Sequence, residues 1–322
     1  IHFTFKNVRI GTATDESGPT GCTVLHFPKG ALAAVDVRGG SAALRESTLL
    51  DPLSAWAGID ALVLAGGSTY GLEAASGVMQ ALLENRAHST RFADIPSVPA
   101  AVVYDFGGRS NSRYPTADLG RQAFEAAREG AITIGRTGAG RNVSVGKLFG
   151  RPSSEAGGQG AAFLETPSGY RMLAVTIVNA LGNITDFDGT ILRGSREPGT
   201  GKRRSAVEAY ITPSIREKLS TSASAPTSGN TTISALITDA PLERLDLQRI
   251  AIMAHSAMAR VIEPFHTPYD GDALFAVSVP MEVQNGARDH TPPPPEGAER
   301  ILELGTLGGR LLCEAVLSAF QD

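Results

Sequence analysis

Ser228-Gly229-Asn230-Thr231-Thr232-Ile233-Ser234-Ala235-Leu236-Ile237 joins two unlike kinds of chain. Upstream, residues 220–227 are small and polar with no large side chain to pack, which predicts an adaptable surface loop. Downstream, β-branched residues alternate with smaller ones, which predicts a strand entering the core. A tether thus hands the chain to a rigid strand at Asn230-Thr231. Two readings fit this junction. In one it is a turn before an ordinary strand, since Gly-Asn ahead of Thr-Thr is common turn chemistry. In the other, the Thr231 hydroxyl attacks the Asn230 carbonyl and converts the peptide bond into an ester that water opens, so that Thr231 begins a new chain. Its freed α-amine, with a reference pKa of about 7.7–8.0, can then serve as base for the hydroxyl of the same residue.

The 322 residues, 42% of them hydrophobic, suffice for one large domain with an ample core. A net charge of -4 with both signs interspersed gives no electrostatic footprint for nucleic acid or for an anionic membrane. No apolar run is long enough to span a bilayer, and no basic, hydrophobic leader is seen at Ile1, so the cytoplasm is the expected location. Cys22 and Cys313 lie in apolar surroundings without metal-type spacing, which fits small core residues in a reducing compartment. The 36 glycines, ten of them in adjacent pairs, lie between apolar runs and predict tight turns and close backbone approaches.

Working outward, residues 1–10 alternate apolar and polar, and 22–27 and 31–37 read as two further strands separated by a Pro-Lys-Gly turn. Residues 61–65 form a short apolar strand, Gly66-Gly67 a turn, and 68–83 a buried helix of small residues. A strand over 100–106 and an amphipathic helix over 117–129 follow. Residues 135–141 are glycine-rich but lack a Gly-Lys-Ser/Thr ending and a following helix, which argues against a phosphate loop. Strands are expected over 143–149, 160–164, 172–178 and 183–186, and a helix over 206–219. Past the junction, 241–262 has the best helical pattern in the chain, with His255 as a hydrogen-bonded structural residue. A strand over 274–279, a Pro-rich loop over 288–296 and a long helix over 299–320 close the sequence. One domain of two packed sheets flanked by helices accommodates strands on both sides of the tether.

Gly18-Pro19-Thr20-Gly21-Cys22-Thr23-Val24, Gly66-Gly67-Ser68-Thr69-Tyr70-Gly71-Leu72-Glu73-Ala74, Val178-Asn179-Ala180-Leu181-Gly182, Gly229-Asn230-Thr231-Thr232 and Asp270-Gly271-Asp272 stand in that order along the chain. Together they resemble the self-processing N-terminal-nucleophile hydrolases that include the L-aminopeptidase/D-esterases and the β-peptidyl aminopeptidases. The resemblance runs from about Gly18 to the C-terminal helix and is most specific over 229–277. Within the family the most similar branch hydrolyses nylon oligomers of 6-aminohexanoate endo-wise. The resemblance implies an α/β fold of the αββα sandwich type, one catalytic domain cut between Asn230 and Thr231 into fragments 1–230 and 231–322 that stay together. It also implies a homo-oligomer, a tetramer of such pairs, acting on a small-molecule or oligomeric amide without cofactor or metal.

By the same resemblance Thr231 is the nucleophile in processing and in turnover. Hydroxyl attack on an amide builds negative charge on oxygen, which calls for a preorganised donor worth about 3 kcal/mol, and Asn179 matches the family's asparagine at that task; an Asn turn residue is the alternative. Lys147 matches the active-site lysine of the nylon-oligomer branch, where like-charge repulsion would keep the Thr231 amine unprotonated; a solvated surface lysine is the alternative. Asp270 and Asp272, two apart, present their carboxylates on one side of an extended chain. They are expected to hold the Thr231 amine, being too few to argue for calcium. Tyr104 matches a pocket tyrosine able to hydrogen-bond substrate. The aminopeptidase branch carries Ser-x-Glu where Asp270-Gly271-Asp272 stands and usually Ser at the position of Thr231, so aminopeptidase activity of the β-peptidyl type is the second expectation. A self-processing acyltransferase and a non-catalytic binding protein are the others.

Overall fold

The computed structural model describes residues 1–55, 58–221, 229–279 and 296–320. Most of the expected tether and of the Pro-rich loop lies outside the described residues; the first residues of the tether segment instead extend a helix that ends at Thr221.

The sequence around Thr231 forms the middle of the fold. A nine-stranded sheet contains β1 (Arg9–Asp15), β2 (Thr20–Val37), β3 (Leu44–Arg45), β4 (Gly58–Ala65), β5 (Ala100–Val102), β6 (Gly158–Glu165), β7 (Arg171–Asn179), β8 (Thr231–Thr238) and β9 (Ala273–Ser278), in the order β3-β5-β4-β2-β9-β8-β7-β6 with β1 on β2. Six helices accompany it among the described residues: α1 (Ala74–Asn85), α2 (Ala117–Glu125), α3 (Ala206–Ile211), α4 (Pro213–Thr221), α5 (Arg244–Ala257) and α6 (Gly297–Ser318). Every residue of β8 is buried, because both faces of the strand are covered. Ile233, Ala235 and Ile237 point into a central core, while Leu236 packs under the helices on the opposite face.

That central core identifies the layers. Leu62 and Leu64 of β4 share it with Leu173, Val175 and Ile177 of β7 and with Phe275 and Val277 of β9. The two halves of the sheet are therefore folded face to face. Outside one half, Val24, Val63 and Ala65 pack on Ala74, Val78 and Ala123 of α1 and α2; outside the other, Met172, Leu236 and Leu274 pack on Ile250, Ala254, Leu311 and Leu312 of α5 and α6. The arrangement is α, β, β, α, as expected.

Two expectations change. Residues 22–27 and 31–37 are one bent strand and not two: Pro28-Lys29-Gly30 makes an irregularity at which the register on β4 shifts between His26 and Ala31. The chain does not reverse there, since both parts stay paired with β4, and so β2 belongs to both layers and joins them. Regular pairing in the N-terminal segment begins only at Arg9. Phe3, Phe5 and Val8 are buried in the central core, but the neighbouring chain offers only the isolated bridges His2 to Ala131 and Ile10 to Arg128, too few for a ladder.

The glycine pattern is used where helices meet. A Cβ on Gly77 of α1 would lie 1.8 Å from the Ala117 carbonyl oxygen, and one on Gly120 of α2 would lie 2.0 Å from that of Ala74, so backbones touch at this crossing.

Candidate active site

Strand directions bring the separated motifs to one end of the sandwich. β7 ends at Asn179, and β8, antiparallel to it, begins opposite at Thr231. β9 runs parallel to β8 and starts at Ala273, which puts Asp270 and Asp272 beside the same end. All four residues are buried, with Thr231 6% exposed.

At the junction, the Thr231 hydroxyl donates to the carbonyl oxygen of Asn230, the group it would have to attack. The Gly271 N–H donates to that same oxygen at 2.8 Å. A donor aimed at this carbonyl can stabilise the charge that grows on it as the tetrahedral intermediate forms. Glycine is required for the approach: a Cβ at position 271 would stand 2.9 Å from the Thr231 hydroxyl oxygen and 2.9 Å from the Ser41 carbonyl oxygen. Gly271→Ala is expected to slow cleavage at Asn230-Thr231 by about a hundredfold, the scale of losing one oxyanion donor, followed as the intact fraction on denaturing gels against time after refolding.

Asn179 is held in one orientation. Its Oδ1 accepts from the Ser144 N–H at 3.1 Å and from Lys147 Nζ at 2.9 Å. Its Nδ2 donates to the Gly229 carbonyl at 3.1 Å and to that of Tyr104 at 3.2 Å. With the chain continuous, Asn179 thus holds the carbonyl one residue upstream of the junction, and the donor on Asn230 itself is a backbone amide.

Lys147 is 3% exposed, so it is not the solvated lysine that its sequence context left open. The strand expected over 143–149 is only Ser144–Val145, and the turn after it sends the side chain inward. There Nζ donates to the carbonyl oxygen of Asn179 at 2.7 Å as well as to its side chain. Burial, then the Arg151 charge, push the ammonium well below its ordinary value, against the attraction of Asp270 and Asp272.

The carboxylates differ. Asp272 accepts from the Thr232 N–H at 2.7 Å and from both the N–H and Nδ1 of His266 at 3.1 Å each. Asp270 accepts from the Leu181 N–H at 3.1 Å and from the Thr267 hydroxyl. Burial, then repulsion by Asp272, push Asp270 up to about 6. One carboxyl of the pair is poised to exchange a proton in the neutral range while the other is tied to donors. Among the described residues no group of three or more His, Cys, Asp or Glu could hold a metal ion.

Tyr104, just past β5, presents its ring to Gly229, where an added Cβ would be 3.0 Å from the ring. Arg151 lies over that ring at 4.6 Å from its centroid and donates to the Gly229 carbonyl at 3.3 Å. A cavity of about 390 Å³ lined by Arg136, Asn142, Ser144, Arg151 and Glu155 opens alongside. Arg151, His266 and the Gly271 N–H were missed by sequence reasoning. A lone Arg after glycine and a lone His between Phe265 and Thr267 carry no spacing signal, whereas Gly271 between two aspartates was visible but was read only as a spacer.

The sequence matches peptidase family S58 from residue 5 to residue 321. The chain belongs to this family. As an S58 peptidase it is a hydrolase. It is 44% identical over 287 residues, covering 86% of this chain and 74% of the relative, to the 6-aminohexanoate-oligomer endohydrolase of Paenarthrobacter ureafaciens. An uncharacterized aminopeptidase of Mycobacterium bovis is 39% identical over 81% of this chain and 75% of its own length. Among solved structures, the L-aminopeptidase D-Ala-esterase/amidase of Ochrobactrum anthropi, described as a variant of the Ntn hydrolase fold, superposes with a TM-score of 0.68 over 98% of this chain and 84% of its own, at 18% identity. The Burkholderia β-aminopeptidase superposes at 0.63 over 97% of this chain and 84% of its own, at 19% identity. Those two likenesses speak to the fold, which is that of the Ntn hydrolases. No helix among the described residues is long and apolar enough to cross a membrane.

Proposed function

We propose that this S58 hydrolase cuts its own chain between Asn230 and Thr231 and then hydrolyses internal amide bonds of linear ω-amino acid oligomers of the 6-aminohexanoate type. The observation that carries the reading is the Thr231 hydroxyl in hydrogen-bond contact with the Asn230 carbonyl, under a second donor from Gly271.

In processing, Thr231 Oγ1 bonds to the Asn230 carbonyl carbon, the C–N bond breaks, and the hydroxyl proton ends on the departing Thr231 nitrogen. Water opens the ester, giving a carboxylate on Asn230 and a free amine on Thr231. In turnover that amine takes the hydroxyl proton, the oxygen attacks the substrate carbonyl, the proton passes to the leaving amine, and water then cleaves the ester to release the acyl group as a carboxylate and restore the hydroxyl. Lys147, Asp270 and Asp272 settle the charge of the Thr231 amine, and Asn179 Nδ2, relieved of Gly229, is free to hold the substrate's oxygen. The ring of Tyr104 and the guanidinium of Arg151 line the approach. Fragments 1–230 and 231–322 remain one domain, because β8 lies between β7 and β9.

The 44% identity to a relative named for 6-aminohexanoate oligomers favours that substrate class. Asp270-Gly271-Asp272 and a Thr nucleophile favour it too, over the β-peptidyl aminopeptidase reading, which the 39% identical aminopeptidase relatives keep as the second one. By the same resemblance the enzyme is a tetramer of cleaved pairs, and its two buried free thiols, Cys22 and Cys313, suit the cytoplasm. Incubating purified enzyme with a long 6-aminohexanoate oligomer is expected to give mid-sized products first. Single residues released from the amino end at the outset would instead establish the aminopeptidase, and intact mass on the same sample should show two fragments meeting at Asn230-Thr231.

A further inference from the structure

Behind the carboxylate pair lies a row of side chains, buried at Asp272, His255 and Asp36 and partly exposed at His266 and Arg38, that the proposed mechanism leaves unused. Asp272 Oδ2 takes two hydrogen bonds from one residue, the backbone N–H and the Nδ1 of His266, each at 3.1 Å. The His266 ring stacks on Phe265 with centroids 3.8 Å apart and meets the His255 ring edge to face at 4.4 Å. His255, wholly buried on α5, pairs through Nδ1 with Asp36 Oδ2 at 2.9 Å, and Arg38 Nε reaches the same oxygen at 2.7 Å. The row runs Asp272, His266, His255, Asp36, Arg38 and curls back to the C-terminal end of β2, where the Arg38 N–H donates to the Asp272 carbonyl.

His266 is also held in the left-handed region, with φ at 57°, which a non-glycine residue adopts only where its surroundings repay the strain. That conformation is what aims both of its donors at one carboxylate oxygen. The loop's left-handed backbone alone would be served as well by Gly or Asn.

We propose that His266 is the positioning residue of this site: by donating twice to Asp272 it fixes that carboxylate in place and leaves the exchangeable proton of the pair on Asp270. The assignment rests on the reading of the site given under Proposed function. Three donors converge on Asp272, from His266 twice and from Thr232, against two on Asp270, and each hydrogen bond to the charged form favours it. Asp270 is accordingly the member pushed up, to about 6, by burial and by the charge of Asp272. The groups facing His266 are Asp272 and Asp270 ahead of β9, His255 on α5 with Asp36 and Arg38 behind it, and Lys147 across the site. Burial pushes His255 down, so it faces His266 as a neutral ring whose Nδ1–H is spent on Asp36. With its second neighbour uncharged, His266 has Asp272 as its one anionic partner among the contacts described. The arrangement parallels sites in which a residue behind the catalytic group fixes its proton and its direction.

The test compares His266→Ala with His266→Asn, whose side-chain amide can replace the Nδ1 donor and which tolerates positive φ. Cleavage at Asn230-Thr231, thermal midpoint and the pH profile of kcat on a 6-aminohexanoate oligomer are measured for both and for the wild type. His266→Ala removes the Nδ1 donor and strains the left-handed backbone that aims the N–H, so the negative charge of the carboxylate pair is held less well. His266→Ala should therefore lose about ten- to a hundredfold in kcat, the scale seen for outer-shell partners, with KM within about twofold and the acidic limb moved upward. His266→Asn should regain most of kcat and return the limb toward its wild-type place. The assignment is overturned if the limb stays put in His266→Ala, or if Asn is no better than Ala when both are equally folded. A wild-type protein that stays whole and inert would overturn the functional reading itself, and this assignment with it.

Discussion

Thr231→Ala is expected to give a single uncut chain of 33.6 kDa and to lose hydrolysis by at least about 10⁴-fold, the scale of deleting a nucleophile that acts with its base as one unit. The size follows from the double use of the residue. Without the hydroxyl there is no ester, hence no new N-terminus, hence no α-amine to act as base, so both functions vanish with one oxygen. Stability should change little, because Thr231 is the first residue of β8 and its register with Asn179 is backbone pairing. Thr231→Ser restores the oxygen and should restore cleavage and a measurable part of the turnover. An alanine variant that is cut at the same bond would assign the nucleophile elsewhere.

The second large effect is expected at Lys147. Lys147→Met keeps an apolar stem of similar reach but removes the donors that hold the carbonyl and the side chain of Asn179 at 2.7 and 2.9 Å. The amide of Asn179 then keeps only the Ser144 N–H on its oxygen and is less firmly oriented, which on the proposed mechanism loosens the aim of Nδ2 at the substrate carbonyl. A loss of about a hundredfold or more in kcat should follow, on the order of 3 kcal/mol of transition-state stabilisation. Stability moves less. Taking a donor from two buried acceptors destabilises, although Asn179 Oδ1 keeps the Ser144 N–H, and removing a buried ammonium relieves a desolvation cost of opposite sign. Arginine should not rescue, since its planar fork cannot replace a compact ammonium in a closed space. A methionine variant retaining more than a third of wild-type kcat would remove Lys147 from the machinery.

Much of this architecture was legible in the chain. The alternation after Thr231, the apolar runs of β4 and β7, the glycine-marked turn before α1 and the periodicity of α5 and α6 each report which faces are covered, and burial is what periodicity encodes. The bend in β2 was not legible, because Pro28-Lys29-Gly30 has the same local chemistry in a reversal as in a bulge, and only the pairing of both halves with β4 distinguishes the two. At the site, Thr231, Asn179, Asp270 and Asp272 could be singled out by motif, and the strand directions bring them together.

By itself, then, the sequence determined the layer order, the loop-to-strand junction at Asn230-Thr231 and the residue types around it, since these depend on patterns along the chain. Tertiary structure alone decided that Lys147 is buried on Asn179, that a backbone amide of Gly271 meets the Asn230 oxygen, and that His266 backs Asp272. The first two are contacts between residues tens of positions apart, and the third, across six positions, needs the left-handed backbone at His266. No local propensity specifies them, because each depends on where two strands happen to end in space.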